Sequence, residues 1–517
     1  MVSQPDDPHA GVRRFAELEA RAASAPRKLV REKCEVLVVG SGPAGAVAAY
    51  ELAAAGRDVL LVEEGPPIGV ADMRQEAGDT MRRLFRDAGM RVARGNGFFP
   101  TMQAVGLGGG SLVNSAICCR VPGWVLDHWA EDYGLGSLTD GALDEHYEAV
   151  EQFLGVEATE EAVMGERNLL FKRGCDELGI AAEPTPRNVR HCKGSSECFT
   201  GCRNGAKQSV DVSYVPAAIR HGARVLTSVR IDELLVDGKR ITGARGSLVE
   251  PFGHREAGRI EIEADQVVLA AGCMATPLIM QRSGVGGSHV GQHLKAHPGL
   301  AVYGIYPQRV APWQGATQGY QSLAYLHEGL KLEVLWAPPA LLAVRFPGFG
   351  DEFKQHLLAF ERMAPFDVIA SAPHSSGSVR ALGRGMNPDI RYHLDPRDAA
   401  QLQRGLCILT DICWAAGAES VQPGVHGVPA SLSRAQGTEP LRRATLRATD
   451  FTVGMNHVFG TTRMTSAARD GVVDPLGRVH TTDNLYVVDT SVFPASPHIN
   501  PMLTAMAIAR KCALAMC

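Results

Sequence analysis

The chain has 517 residues, room for one large α/β unit or about two to three domains. With 45% apolar and 21% charged residues it has the composition of a globular protein with a large core, and a formal net charge of -4 leaves no footprint for nucleic acid or an anionic membrane. The longest apolar run, residues 44–55, is broken by Tyr50 and Glu51 and is too short to span a bilayer.

Taken in chain order, residues 1–24 alternate charge with alanine as an exposed helix does. Arg13 and Arg14 have no apolar stretch behind them, so neither a secretory nor a twin-arginine signal is read there, and a cytoplasmic location is expected. Residues 35–62 predict strand, tight turn, helix, strand. EVLVVG is a continuous apolar run suited to a buried parallel strand, SGPAGAVAAYELAAAG has helical composition with a stop at Gly56, and DVLLVEEG is the second strand. The crossover is expected to be right-handed. Residues 126–204 carry acidic helical stretches and then a loop rich in Cys, Gly and Ser. Residues 224–270 predict short strands, with turns at Asp237-Gly238 and around Pro251-Phe252-Gly253, ending in the buried strand QVVLAAG. Residues 301–449 alternate apolar strands with Pro/Gly breaks and hold a helix at DAAQLQRGLCILTDICWAAG. NLYVVDTSVFP predicts one more strand, followed by a helix from about Pro501. Cofactor-type elements at the start, middle and end predict one discontinuous nucleotide-binding domain interrupted by a second.

Gly40-Ser41-Gly42-Pro43-Ala44-Gly45 fits G-x-G-x-x-G between a strand and a helix. The first glycine permits the turn, the second lets a pyrophosphate approach the backbone, and the third lets helix and strand pack closely. The helix N-terminus offers N–H groups and a positive dipole end to the phosphates. Glu63 ends the second strand, where an acid can accept hydrogen bonds from the adenosine ribose. This motif alone leaves FAD and NAD open.

Four further segments, GLGGGSLVN (106–114), GCMATPLIMQRSGVG (272–286), HVFGTTRM (457–464) and NLYVVDTSVFPASPHINPMLTAM (484–506), follow in order. Together with the N-terminal unit they resemble the glucose–methanol–choline (GMC) FAD-dependent oxidoreductases, nearest to bacterial members of long-chain-alcohol or cholesterol-oxidase type. The resemblance implies an α/β fold: a Rossmann-like FAD-binding domain of glutathione-reductase type (residues 1–125, 205–300 and 450–517) interleaved with a β-sheet-plus-helix substrate domain (126–204 and 301–449). It implies that Gly108, Gly109, Gly110 and Asn114 line the flavin, that Thr276 and Pro277 belong to the second family signature, and that Val229, Asp489, Pro501 and Met502 also contact the cofactor. Relatives that bind flavin covalently carry a histidine where this chain has Val113, so the FAD is expected to be non-covalent. Val105 replaces a common basic residue and Cys273 a small non-cysteine residue.

By the same resemblance His457 is the catalytic histidine and Asn500 its partner. Alcohol oxidation removes a proton from oxygen and a hydride from carbon. A neutral imidazole is suited to take that proton, and an asparagine amide can donate to the substrate oxygen without competing as a base. His498, two residues earlier, reads as a loop histidine shaping the pocket. The expected reaction converts an alcohol to aldehyde or ketone, with O2 or another acceptor reoxidising the flavin. The apolar stretch 331–349 reads either as core or as a channel for a fatty, aryl or terpenoid/sterol alcohol.

Two clusters compete with that reading. Cys192, Cys198 and Cys202, beside His191, read as structural thiols, as iron–sulfur ligands or as zinc ligands. His293 and His297, four apart, would share a face and could bind a metal if the segment were helical, but HLKAHPG ends in Pro-Gly and resembles an ordinary family loop. Non-oxidative lyase-type chemistry, or an iron–sulfur dehydrogenase subunit feeding a partner, are the alternative functions. An NAD enzyme would leave GLGGGSLVN without a role.

Overall fold

The apolar runs of the expected βαβ unit form β1 (Leu29–Val39), α1 (Pro43–Ala54) and β2 (Val59–Val62) in the computed structural model, which describes residues 7–74, 76–139, 141–253, 255–346, 348–383 and 387–517. Burial is mixed over Leu29–Glu35 and continuous from Val36 to Val39, as in a strand covered on both faces. The chain returns to this sheet with β3 (Arg224–Leu226), β4 (Val229–Asp237), β5 (Arg240–Val249) and β6 (Glu256–Leu269). The short strands expected here include one of 14 residues, because β6 changes partners along its length. Its first half pairs antiparallel with β5, and from Arg259 onward it runs parallel to β1. Residues 1–6, at the head of the expected N-terminal helix, lie outside the described residues. The helix Phe15–Ser24 is not exposed all round: Leu18 and Ala22 are buried.

A second sheet is built from β7 (Lys295–Ile305), β8 (Leu330–Val334), β9 (Met363–Ala370) and β10 (Gly454–Phe459), in the order β8-β9-β7-β10 and antiparallel throughout. The helix α2 (Pro396–Ala415) packs across β7 and β9. Asp395 caps it by accepting from the Arg397 N–H, and its apolar face (Leu402, Leu406, Leu409, Ile412) is buried. All five residues of β8 are buried, Lys331 and Glu333 included.

The first sheet is completed by β11 (Leu485–Val487), parallel to the end of β6. The parallel order is therefore β3-β2-β1-β6-β11, assembled from widely separated segments. The strand expected over NLYVVDTSVFP is this short, because Asp489 turns the chain: its side chain accepts from the Ser491 N–H at 2.8 Å and caps a 3-10 turn. The helix α3 (Met502–Met516) then packs against α1. Among the described residues no helix is long and apolar enough to cross a membrane.

Candidate active site

The glycine motif divides its labour. Gly40 has φ +99°, and a Cβ there would lie 2.4 Å from the Ala270 carbonyl oxygen. A Cβ on Gly45 would lie 2.0 Å from the Gly40 oxygen, so helix and strand touch backbone to backbone. Gly42, by contrast, faces open space within 4 Å. It is the N-cap of α1, with Pro43 in the first turn and the first N–H groups, at Ala44 and Gly45, free of intrahelical partners. Glu63 is buried and braces this turn: one carboxylate oxygen accepts from the Ser41 N–H (3.0 Å) and hydroxyl (2.7 Å), the other from the Gly65 N–H (2.9 Å). Burial pushes this carboxyl above its ordinary range, against those three donors. The neighbouring Glu64 is ion-paired with Arg86 at 2.6 Å. Val229, buried at the start of β4, donates its N–H to the Glu63 carbonyl at 2.8 Å.

A second glycine loop closes over the first. The Gly108 N–H donates to the Ser41 hydroxyl (2.9 Å), and a Cβ on Gly109 would meet the Gly42 Cα at 2.8 Å. Gly110 again faces open space. The open faces of Gly42 and Gly110, set at a helix N-terminus, fit the phosphates and planar ring of a dinucleotide. The loop's exit is tied to the far end of the chain, where the Asn114 amide donates to the Met502 sulfur at 2.9 Å, with Pro501 as the N-cap of α3. Asp489 is buried, accepts from the Gly272 N–H (2.9 Å) and the Thr276 hydroxyl (2.6 Å), and burial raises its carboxyl pKa. Pro277 follows Thr276 in the first turn of the helix Thr276–Ser283.

The cysteine segment supports the same loop. Lys207, buried, donates to the backbone oxygens of Leu112 (2.7 Å), Asn114 (3.0 Å) and Cys198 (2.9 Å). Arg187 reaches the Ser115 oxygen (3.2 Å) and the Cys198 sulfur (3.2 Å). Burial alone would push the Cys198 thiol up; the Arg187 and Lys207 charges outweigh it and bring the pKa down. Cys192, Cys198 and Cys202 line one cavity with room for about one water (about 10 Å³). Among the described residues no group of three His, Cys, Asp or Glu side chains is disposed to hold a metal ion.

His457 lies on β10 directly across from His297 on β7. Their Nδ1 atoms are 3.3 Å apart, and the Nε2 of His297 bonds the Ser496 hydroxyl at 2.7 Å, four residues before Asn500. The helix face that His293 and His297 could share does not form, because residues 295–305 are a strand. His293 stands before it with φ +59° and bonds His289 instead (2.9 Å). Burial lowers the His457 pKa to about 4 and holds His297 well below its ordinary value, so both rings are neutral at pH 7. His498 packs edge-on to Trp124 at 4.8 Å, and burial takes its pKa to about 4. Asn500 is buried, and its Oδ1 accepts from the ammonium of Lys331 at 2.5 Å.

Lys207 and Lys331 are the residues that reading the sequence missed, and in the sequence His297 pairs with His293 rather than with His457. The GAKQS string holding Lys207 was visible, but its partners are backbone oxygens far away in the chain. The stretch 331–349 divides: Leu330–Val334 is sheet core, while Trp336, Leu342 and Phe346 form a separate apolar cluster with Tyr303 and Phe360. Residue 347 lies outside the described residues. Val344 and Phe349 are exposed, at 75% and 90%.

Comparison with known proteins agrees with this geometry. Family models described as GMC oxidoreductase match residues 37–299 and 373–509. An uncharacterized GMC-type oxidoreductase of Mycobacterium tuberculosis is 32% identical over 92% of this chain and 75% of its own length. A long-chain-alcohol oxidase of Arabidopsis thaliana is 27% identical over 93% of this chain and 67% of its own. A variant of formate oxidase from Aspergillus oryzae shares the fold, with TM-score 0.69 and 16% identity over 93% of this chain and 97% of that one. The chain therefore belongs to the GMC oxidoreductase family and is an oxidoreductase with FAD as its cofactor.

Proposed function

We propose that this protein oxidises an apolar alcohol to the aldehyde or ketone, with His457 as the base and Asn500 as hydrogen-bond donor to the substrate oxygen. One observation carries the reading: a neutral, half-buried imidazole on β10 meets, through His297 and Ser496, the segment whose next residues contact the flavin loop. In the tautomer this role requires, the His457 Nδ1–H donates to the His297 Nδ1 and the His297 Nε2–H donates to the Ser496 hydroxyl, which leaves the His457 Nε2 bare to take the hydroxyl proton. Bound FAD supplies the two-electron acceptor for the hydride. O2 or another acceptor then reoxidises the cofactor. In this reading the cofactor unit is drawn from residues 1–125, 205–300 and 450–517 and the substrate unit from 126–204 and 301–449, with β7 and β10 crossing those bounds to join the second sheet. The apolar cluster around Trp336 and the similarity to a long-chain-alcohol oxidase favour fatty alcohols over sugars.

The experiment is the visible spectrum of the purified holoenzyme under anaerobic conditions, before and after a panel of apolar alcohols. Bleaching of the flavin bands supports the reading, and flavin that no alcohol bleaches sinks it in favour of lyase-type chemistry. A broad brown absorbance would instead favour the iron–sulfur subunit. With Val113 in the covalent-histidine position, acid precipitation is expected to release the flavin into the supernatant; flavin retained in the pellet would refute non-covalent binding.

A further inference from the structure

Beneath Asn500 lies a buried charged assembly that the reaction as described does not use. Lys331 is 0% exposed, and its ammonium donates to the Glu333 carboxylate (2.6 Å) and to the Asn500 Oδ1 (2.5 Å). Glu333, 4% exposed, accepts on its other oxygen from the Gln318 amide at 2.6 Å. Asp367 stands opposite Glu333 in the sheet, and burial, then the Glu333 charge, push its carboxyl pKa well above the usual range. Burying an ion pair is costly, and apolar side chains would fill a strand interior as well. The pair is held at the one place where the ammonium reaches the amide beside the reacting atoms.

An ammonium has donors and no acceptor, so the Asn500 atom it touches is the oxygen. That contact turns the amide's N–H end away from Lys331. We propose that Lys331, held by Glu333, is a positioning residue that locks Asn500 with its N–H end toward the substrate oxygen. The inference rests on the alcohol-oxidation reading above. Glutamine in place of both charges keeps the hydrogen-bonding capacity and the net charge, and avoids leaving either ion unpaired.

The test uses FAD-loaded wild type, Lys331→Gln/Glu333→Gln, Asn500→Ala and the triple variant. Two measurements are made: crystal structures, and anaerobic stopped-flow reduction of the flavin by 1-dodecanol. In the double variant the Asn500 amide is expected to rotate or adopt more than one rotamer. The limiting reduction rate is expected to fall roughly 10- to 100-fold, below the cost of deleting a transition-state donor outright, with the alcohol's Kd changed by less than about threefold. In the Asn500→Ala background the same two substitutions are expected to have no further effect, since they act through that amide. An unmoved Asn500, an unchanged rate, or losses that multiply in the triple variant would each overturn the proposal. Should the wild type be reduced neither by dodecanol nor by any other alcohol of the apolar panel, the alcohol-oxidation reading fails, and the crystal structures still decide whether Lys331 positions Asn500.

Discussion

In the proposed reaction, burial of His457 and its neighbours would set the chemistry. Replacing His457 with Gln removes the base while keeping a polar side chain. Flavin reduction by an alcohol is expected to slow by about 10²- to 10⁴-fold with FAD still bound, which stopped-flow and the visible spectrum check together. The pH dependence follows from the His457 pKa of about 4. The base form is present above that value, so the reduction rate is expected to be flat from about pH 6 upward and to fall as pH drops through 4; a limb centred near 6.5 would show a solvated imidazole instead. His457 itself was legible because HVFGTTRM carries it within one motif. Its contact with His297 was not, since that pair exists only through the pairing of two strands 160 residues apart. Lys331 and Glu333 were hidden for another reason. A strand reading K-L-E-V suggests a polar face in solvent, and here that face is turned inward against Asn500.

At the level of elements, the strand–turn–helix of the glycine motif gives a contrast between architecture and binding. Gly45→Ala would drive a methyl to 2.0 Å from the Gly40 carbonyl, so the variant is expected to unfold at lower temperature whether or not FAD is added. Gly42 has an ordinary φ of -60° and open space before it, so Gly42→Ala is expected to keep the stability of the apoprotein and lose FAD affinity. Thermal melts with and without FAD separate the two, and equal destabilisation of both apoproteins would refute the distinction. The strands β1 and β2 and the helix α1 were legible because continuous apolar runs and a strict glycine spacing are local signals. The length of β6 was not, because its second edge pairs in parallel with β1, chain roughly 230 residues earlier, as in the 229-residue separation of Cys34 from Glu263.

For the molecule as a whole, burial lowers the pKa of six imidazoles among the described residues: His293, His457 and His498 to about 4, and His146, His297 and His356 below their ordinary value. In the unfolded chain each would titrate near 6.5. The unfolded state therefore binds more protons between pH 6.5 and 4, and stability present above pH 6.5 is lost as pH falls through that window. Melting temperatures at pH 7.5 and 5 are expected to differ in that direction, and a higher melting temperature at pH 5 would contradict it. The order of the parallel sheet has one more consequence, in time. Asn114 of the flavin loop bonds Met502, 388 residues further on. At roughly 5–20 residues per second, a ribosome needs about 20–80 s to make the chain between them. For that interval the nascent loop has no far wall. FAD capture is thus expected to follow synthesis of the chain, and cells short of flavin are expected to accumulate finished chain with an open cradle rather than fragments stalled midway.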